Sequence, residues 1–229
     1  MPKKANAVPQ THPFDLLAAQ YDAWFDSDHG RPIFKLEAAC LADLMAPIGG
    51  SWLEVGVGTG RFAQALGAEE GVDPSLRMLE LAAKRGIRTR RGRGEDLPYP
   101  DGSFDGVLMV ATICFLSDPN STMRECARVL KDAGHLVVGL VPSDSAWGRL
   151  YTRRGRGGHP FYSTARFYTC DEVIRMAESA GFAPVRAASC LFSAPGERLD
   201  ALRREGIVAG AGFVAIHFRK SGPAVAHAA

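Results

Sequence analysis

Cysteine is scarce in this chain, and the five cysteines it has follow no motif. Their number is odd and none forms a C-x-x-C pair, which argues against a disulfide framework and against a zinc site. The sequence also has no apolar run near the roughly 20 residues that a membrane span requires, and no signal-peptide pattern follows Met1. We therefore expect a cytoplasmic protein that has no membrane span and binds no metal.

No charge of one sign dominates the composition either. The 27 basic and 25 acidic side chains leave a net charge of +2, so nothing calls for a nucleic acid or an anionic membrane as partner. A small molecule is the expected partner. The length of 229 residues suits one α/β domain with additions better than two full domains. The sequence does not indicate an oligomeric state.

The two ends of the chain differ from its middle. Residues 1–13 contain three prolines and no hydrophobic period, and we expect them to be flexible, as we do residues 221–229. The domain is expected to span residues 14–220. It opens with two amphipathic helices, of which the first runs from Phe14 with an aromatic face and the second starts near Pro32.

Short apolar segments then alternate with amphipathic ones. This alternation predicts a parallel sheet with helices on both faces. Residues 142–169 have no steady period and are too long for an ordinary connection, so we expect a lid or an acceptor-binding insertion there. The predicted strands lie at residues 53–55, 71–73, 87–91, 104–110, 134–141, 184–192 and 212–218.

A glycine-rich turn follows the first strand. Gly56, Gly58 and Gly60 form a G-x-G-x-G pattern, which leaves the backbone free to adopt positive φ and lets a bulky group approach. A dinucleotide-binding turn would need a glycine at position 61, where this chain has Arg61. The G-x-G-x-G spacing, with Glu54 just before it, instead resembles a loop that holds an adenosyl group. The alternatives are a purely structural turn or another kind of nucleotide-binding turn.

Asp73 ends the second predicted strand, roughly 20 residues after the start of this motif. A carboxylate at that position can accept hydrogen bonds from ribose hydroxyls. The alternative is that Asp73 is the N-cap of a helix that begins at Pro74. Both roles are compatible with each other.

Several segments together resemble the class I S-adenosylmethionine (SAM)-dependent methyltransferases, of the small-molecule type near the ubiquinone and menaquinone biosynthesis C-methyltransferases. The resemblance covers about residues 14–218. Its motifs are Phe14 with YDAWF (21–25), LEVGVGTG (53–60), GVDPS (71–75), GEDLPY (94–99) before SFD (103–105), RECARVLK (124–131) before Gly134, and AGF (180–182).

The resemblance implies a Rossmann-like three-layer sandwich. Its sheet would have seven mostly parallel strands with one antiparallel strand, at residues 212–218, inserted between its neighbours. The implied cofactor is SAM, which leaves as S-adenosylhomocysteine. The resemblance implies that Glu54, Gly56, Gly58 and Gly60 hold the methionine part of SAM, that Asp73 binds its ribose, and that its adenine lies at Gly94 and Glu95. The further candidate cofactor contacts are Tyr21, Pro74 and Val110.

The chain departs from the family at the adenine site. The family commonly has an aspartate two positions before the glutamate of Gly94-Glu95, and this chain has Arg93 there. This departure leaves the backbone around Gly94 and Glu95 as the expected adenine contact.

The acceptor site is expected at the end of the fourth strand and in residues 142–169. Thr112 follows that strand in place of the Asn/Asp-Pro-Pro-Tyr/Phe run of nucleic-acid amino-methyltransferases, which disfavours a nucleic-acid base as acceptor. Arg153, Tyr162 and Arg166 are the other candidate acceptor contacts, since arginines can bind an anionic group. The alternative is a solvated arginine face.

Tyr21 and His159 are the candidate catalytic residues. The ring and hydroxyl of Tyr21 suit a position over the methyl end of the donor, and His159 suits a proton acceptor because histidine titrates near neutrality. The alternatives are hydrophobic packing for the aromatic face and an incidental role for the histidine.

The sequence thus predicts a SAM-dependent methyltransferase that moves a methyl group to a small molecule by in-line displacement. A catalytically silent SAM-binding subunit or sensor is the alternative. A nicotinamide oxidoreductase is disfavoured by Arg61.

Overall fold

A computed structural model describes residues 13–221 of the chain. The predictions of flexible ends at residues 1–12 and 222–229 lie outside the described residues. Pro13 itself already belongs to a helix. Within the described part, no helix combines the length and the apolar character that a membrane crossing needs.

Three helices precede the sheet: α1 (Pro13–Leu16), α2 (Ala18–Trp24) and α3 (Gly30–Met45). The single first helix predicted from Phe14 is wrong, because the chain breaks at Leu17, whose backbone leaves the helical region. Helix α3 begins two residues before Pro32, so this proline lies in the first turn, where a missing N–H costs nothing.

Eight strands form one sheet in the order β3-β2-β1-β4-β5-β8-β6-β7. The first strands pair in parallel, whereas β8 is antiparallel to both β5 and β6, and β7 is antiparallel to β6. The strands are β1 (Trp52–Val55), β2 (Glu70–Asp73), β3 (Arg88–Arg91), β4 (Phe104–Val110), β5 (Leu130–Leu140), β6 (Phe182–Cys190), β7 (Arg203–Glu205) and β8 (Phe213–Lys220).

The predicted inserted antiparallel strand is confirmed as β8, but the predicted count of seven strands is wrong. The extra strand is β7, a three-residue edge strand whose residues are all exposed. Its sequence, Arg-Arg-Glu, has no apolar residue, so it lacks the hydrophobic pattern from which a strand is predicted. Charged edge strands of this kind protect a sheet against pairing with other chains.

Five more helices and two short 3₁₀ turns complete the described structure. The helices are α4 (Arg61–Leu66), α5 (Leu76–Lys84), α6 (Pro119–Val129), α7 (Ala146–Arg156) and α8 (Cys170–Ser179), and the 3₁₀ turns are Ile113–Phe115 and Tyr162–Thr164.

The region predicted as an aperiodic lid contains helix α7. Ser145 caps this helix by accepting a hydrogen bond from the Gly148 amide (2.9 Å). Trp147 anchors it, since its ring is buried and its indole N–H donates to the Ser193 carbonyl (3.0 Å). Four arginines and three glycines between positions 148 and 157 hide its helical period, so the sequence analysis did not identify this helix.

Two hydrophobic clusters cover the two faces of the sheet. Along β4 the buried residues alternate between them: Val107 and Met109 belong to one cluster, Leu108 and Val110 to the other. A strand that is buried on both faces in this way requires helices on both sides of the sheet. The predicted three-layer α/β fold is confirmed.

Candidate active site

The glycine-rich turn connects β1 to α4. The amides of Gly56 and Val57 both donate to the Val72 carbonyl (2.8 and 3.1 Å), which ties the turn to β2. All three glycines of the turn have positive φ: 72° at Gly56, 52° at Gly58 and 81° at Gly60. These values lie in the region that glycine adopts without steric cost.

The three glycines face different surroundings. A Cβ at Gly56 would lie 2.3 Å from the Thr112 Cγ2, and one at Gly60 would lie 3.0 Å from the Ala82 Cα. A Cβ at Gly58 would meet no atom within 4 Å. Gly56 and Gly60 therefore allow close packing inside the protein, whereas Gly58 borders open space in which a ligand can lie.

Asp73 lies directly at this turn. Its Oδ2 accepts a hydrogen bond from the Gly58 amide (3.0 Å) and its Oδ1 accepts one from the Ser75 amide (2.9 Å). The alternative role as a helix cap is wrong, because the N-cap of α5 is Ser75, whose hydroxyl accepts from the Met78 amide (3.2 Å). Pro74 lies between these two residues, and its carbonyl accepts a hydrogen bond from the Arg91 guanidinium (3.1 Å).

Glu54 is a buried carboxyl on β1, just before the turn. Its residue is 2% exposed, and its Oε2 has no hydrogen-bond partner among the residues that the structure describes. Burial raises the pKa of Glu54 well above its usual range, and the Ala63 backbone amide opposes this shift only in part. A buried, unpaired oxygen is costly, and a bound ligand with hydrogen-bond donors would satisfy it.

The loop after β3 is fixed by side-chain contacts to the start of α6. The Glu95 carboxylate accepts hydrogen bonds from the Ser117 and Asp118 amides (2.9 and 3.2 Å), and Arg93 donates to the Ser117 hydroxyl (2.9 Å). A Cβ at Gly94 would lie 2.8 Å from the Thr122 Cγ2. Since these side chains serve the fold, adenine contact through the backbone stays a prediction.

A cavity of about 530 Å³ lies beside the turn, a volume typical of small-molecule sites. Ala111 lines it at the end of β4 with a φ of 50°, which is unusual for a residue other than glycine. The next residue, Thr112, donates its hydroxyl to the Val110 carbonyl (3.0 Å) and packs on Gly56. A cavity-lining residue, Ala111, is therefore the direct neighbour in sequence of Thr112, which contacts the glycine-rich turn.

Aromatic side chains make up much of the cavity wall. They come from the N-terminal helices, from α4, from the 3₁₀ turn after β4, and from α7 and the segment that follows it. The aromatic lining residues are Phe14, Tyr21, Trp24, Phe25, Phe62, Phe115, Tyr151, His159, Phe161, Tyr162, Phe167 and Tyr168.

The structure brings three of the predicted acceptor-side and catalytic residues into this wall: Tyr21, His159 and Tyr162. Thr112, Arg153 and Arg166 lie outside the lining. Arg153 is exposed on α7, and Arg166 stacks its guanidinium over the Tyr168 ring, 5.0 Å from its centre.

Tyr21 and His159 occupy different parts of the wall. The Tyr21 ring makes edge contacts with Phe14, Phe25 and Phe161, and burial raises its pKa strongly. His159 stacks on Tyr162 with ring centres 4.5 Å apart. Burial, with a contribution from Arg154, lowers the pKa of His159 and so favours the neutral ring at pH 7.

The sequence interpretation missed Glu37, the one acidic residue in the cavity lining within the described residues. Burial, with a contribution from Cys40, raises its pKa to about 8. Its signal was present in the sequence: Glu37 is four residues after Ile33 and four before Leu41, both of which are buried. A carboxyl inside the apolar stripe of a helix is a candidate functional group.

The interpretation also missed that Arg154 lines the cavity while its neighbour Arg153 does not. Adjacent positions on a helix differ by about 100° in direction, so the two arginines could not be distinguished until α7 was known to be a helix.

No group of three His, Cys, Asp or Glu side chains in residues 13–221 could hold a metal ion.

The fold and the turn define a Rossmann-like α/β protein with open space beside its glycine-rich turn at Gly58. The sequence profile of a family described as a methyltransferase domain matches residues 53–138. An uncharacterized protein of Mycobacterium tuberculosis is 44% identical over 201 residues, which are 87% of this chain and 70% of that protein.

Two further comparisons concern proteins with named activities. A crystal structure from Thermotoga maritima, described as a SAM-dependent methyltransferase and possible histamine N-methyltransferase, has a TM-score of 0.80 and 35% identity over 91% of this chain and 98% of that one. A demethylmenaquinone methyltransferase of Tropheryma whipplei is 40% identical over 139 residues, 55% of this chain and 56% of that protein.

The chain therefore belongs to the class I SAM-dependent methyltransferases and resembles those of quinone biosynthesis. The predicted family, enzyme class and cofactor are confirmed. The residues at the turn fit this cofactor, since Gly58 borders open space and Glu54 has a buried oxygen without a partner.

Proposed function

We propose that this methyltransferase transfers its methyl group to a small molecule bound in the aromatic cavity. The observation that supports the proposal is the position of the cavity, which starts at Ala111, next to the residue that packs on Gly56. A largely apolar cavity at that point would limit contact with water and position an acceptor beside the donor site.

The donor would be held by the residues that the family resemblance implies. Glu54, Gly56, Gly58 and Gly60 would hold its methionine part, and Asp73 would accept hydrogen bonds from its ribose. The adenine would lie along Gly94 and Glu95, with Pro74 and Val110 as neighbouring contacts. SAM supplies an electrophilic methyl group on a sulfonium, which needs no nucleophilic side chain from the protein.

The residues of the chain would then act on the acceptor. Tyr21 would cover the methyl end of the donor with its ring, since aromatic faces stabilise cations. Tyr162 would contact the acceptor from the wall of the cavity, and His159 beside it would be available to a leaving proton. Thr112 would act from behind the wall, through its contact with Gly56.

Calorimetric titration with S-adenosylhomocysteine tests the donor site. In the Asp73→Ala variant we expect binding to weaken by about 1–3 kcal/mol, the range for the loss of a buried hydrogen-bonding partner. Asp105→Ala is the matched control, because Asp105 is a carboxylate near the start of β4, where it contacts Ser51 and Lys131. Unchanged affinity in the Asp73 variant would remove the donor from this turn.

Incubation with radiolabelled SAM and a mixture of small metabolites tests the reaction. A labelled small-molecule product supports the proposal. Donor binding with no labelled product from any metabolite would favour the alternative, a catalytically silent SAM-binding protein.

A further inference from the structure

A single carboxyl lies among the aromatic rings of the cavity. Glu37 of α3 lines the cavity together with Tyr21, Tyr151 and Tyr162, which come from α2, α7 and the turn after α7. The carboxyl therefore shares one cavity wall with tyrosines from three separate segments.

This carboxyl has no partner of its own in the described part of the chain. No hydrogen bond or ion pair to the Glu37 side chain is present there, and its pKa is raised by burial with a contribution from Cys40 alone. A carboxyl in an apolar site without a partner costs free energy. A cationic ligand bound at the cavity wall would offset this cost by pairing with the carboxyl.

The one arginine of the lining does not fill this role. Arg154 is exposed to solvent, and its charge acts on Tyr151, Tyr162 and His159 but is not among the groups that shift the pKa of Glu37. The acidic group of the described cavity lining is therefore left without a protein partner.

We infer that the acceptor is a small amine with an apolar body, whose nitrogen is bound by Glu37 and whose carbon skeleton lies among the aromatic rings. This inference rests on the proposed function and names its substrate class. A carboxylate attracts an ammonium directly, and the faces of tyrosine and phenylalanine rings stabilise the same cation. A bound ammonium would also favour the ionised form of Glu37, whereas a neutral or anionic acceptor would favour the protonated carboxyl.

Glu37 would also accept the proton that the nitrogen must lose. The proton moves from the ammonium nitrogen to a carboxylate oxygen of Glu37, and the nitrogen keeps the lone pair with which it can act as a nucleophile. For an amine acceptor, Glu37 would therefore take the proton-accepting role proposed above for His159, since the His159 Nδ1 accepts a hydrogen bond from the Phe161 amide (3.4 Å) and the proton of the neutral ring then resides on Nε2.

A calorimetric comparison of three probes with the same phenyl body tests the inference. The probes are 2-phenylethylamine, 2-phenylethanol and 3-phenylpropanoate, each titrated into the full chain saturated with S-adenosylhomocysteine. We expect the amine to bind about tenfold more tightly than the alcohol, with the carboxylate weakest. In Glu37→Gln the preference for the amine should disappear, while affinity for S-adenosylhomocysteine changes by less than about twofold.

Arg154→Gln is the matched control, since it removes the opposite charge from the same cavity. We expect it to keep the preference for the amine. Equal or tighter binding of the alcohol or the carboxylate, no binding of any probe, or an unchanged preference in Glu37→Gln would each overturn the inference. Failure of the wild-type protein to bind S-adenosylhomocysteine would instead contradict the proposed donor site.

Discussion

At the scale of single residues, the three glycines of the turn differ in what lies beside them. Gly56 and Gly60 are required because neighbouring atoms come too close for a side chain, whereas Gly58 has open space beside it. A substitution at Gly58 therefore acts on the ligand more than on the protein core. The only cost to folding is the strain of a positive φ, which is about 1 kcal/mol for most side chains.

Gly58→Val should abolish donor binding by occupying the space beside the turn. Gly86→Val is the control, because Gly86 also has a positive φ (85°) and no neighbour within 4 Å of a Cβ, but it lies after α5, outside the turn. We expect similar losses of stability in the two variants, measured by chemical denaturation. Titration with S-adenosylhomocysteine should show lost binding for Gly58→Val alone, and retained binding there would contradict the assignment.

At the scale of secondary-structure elements, a network of ion pairs connects α2 to α4 and to the end of α5. The Asp22 carboxylate pairs with Arg61 of α4 (2.9 Å) and with Arg85 at the end of α5 (2.8 Å), and Arg85 also donates to the Thr59 carbonyl of the turn (2.9 Å). Burial alone would raise the pKa of Asp22, but hydrogen bonds from Arg61, Thr59 and Arg85 hold it at about 2. Helix α2 in turn carries Tyr21 into the cavity wall.

Asp22→Asn should loosen this helix. The side chains of Asp22 and Arg61 are each only 17% exposed, and loss of a partly buried charge pair costs about 2 kcal/mol. We expect lower stability in chemical denaturation and faster amide hydrogen exchange in α2.

Asp26→Asn is the control for this prediction. Asp26 also pairs with Arg61, but its side chain is 62% exposed, and solvent screens such a pair. We expect a much smaller loss of stability than in the Asp22 variant. Equal losses in both variants would show that the network does not hold α2 in place.

At the scale of the whole molecule, β8 joins the two parts of the sheet. It pairs antiparallel with β5 on one side and with β6 on the other. A histidine pair lies along the first of these contacts: the His135 Nδ1 and the His217 Nε2 are 2.9 Å apart. Burial, His135 and Arg186 together lower the pKa of His217 to about 4, and burial also lowers the pKa of His135.

This pair predicts a loss of stability in mild acid. The unfolded histidine binds a proton below about pH 6.5, whereas the folded His217 does so only near pH 4. The free energy of unfolding should therefore fall by about 3 kcal/mol as the pH drops through this interval. Chemical denaturation from pH 7 to pH 4 measures it. In His217→Gln the free energy of unfolding should depend less on pH, whereas the control His29→Gln, at an exposed position, should leave this dependence unchanged. An unchanged pH dependence in His217→Gln would refute the prediction.

Local sequence patterns were sufficient to predict much of the structure around the glycine-rich turn. The glycine spacing, the position of Asp73 and the alternation of strands and helices are set by short segments of sequence, and each was placed correctly relative to the fold. The break at Leu17, the strand β7 and the helix α7 were not, because the first depends on packing and the other two have charged sequences without a clear hydrophobic period.

The sequence by itself determined the fold class, the family and the cofactor, because backbone conformation at the turn and burial in the sheet depend on residues that are close in the chain. Only the tertiary structure showed which residues line the cavity that we propose for the acceptor. Glu37, Tyr21, Tyr151 and Tyr162 are up to 141 positions apart, and the carboxyl and the rings acquire a shared environment only when α2, α3 and α7 pack around one cavity. The helical spacing places Glu37 within an apolar stripe, but only the packing of these helices creates the buried surroundings that raise its pKa.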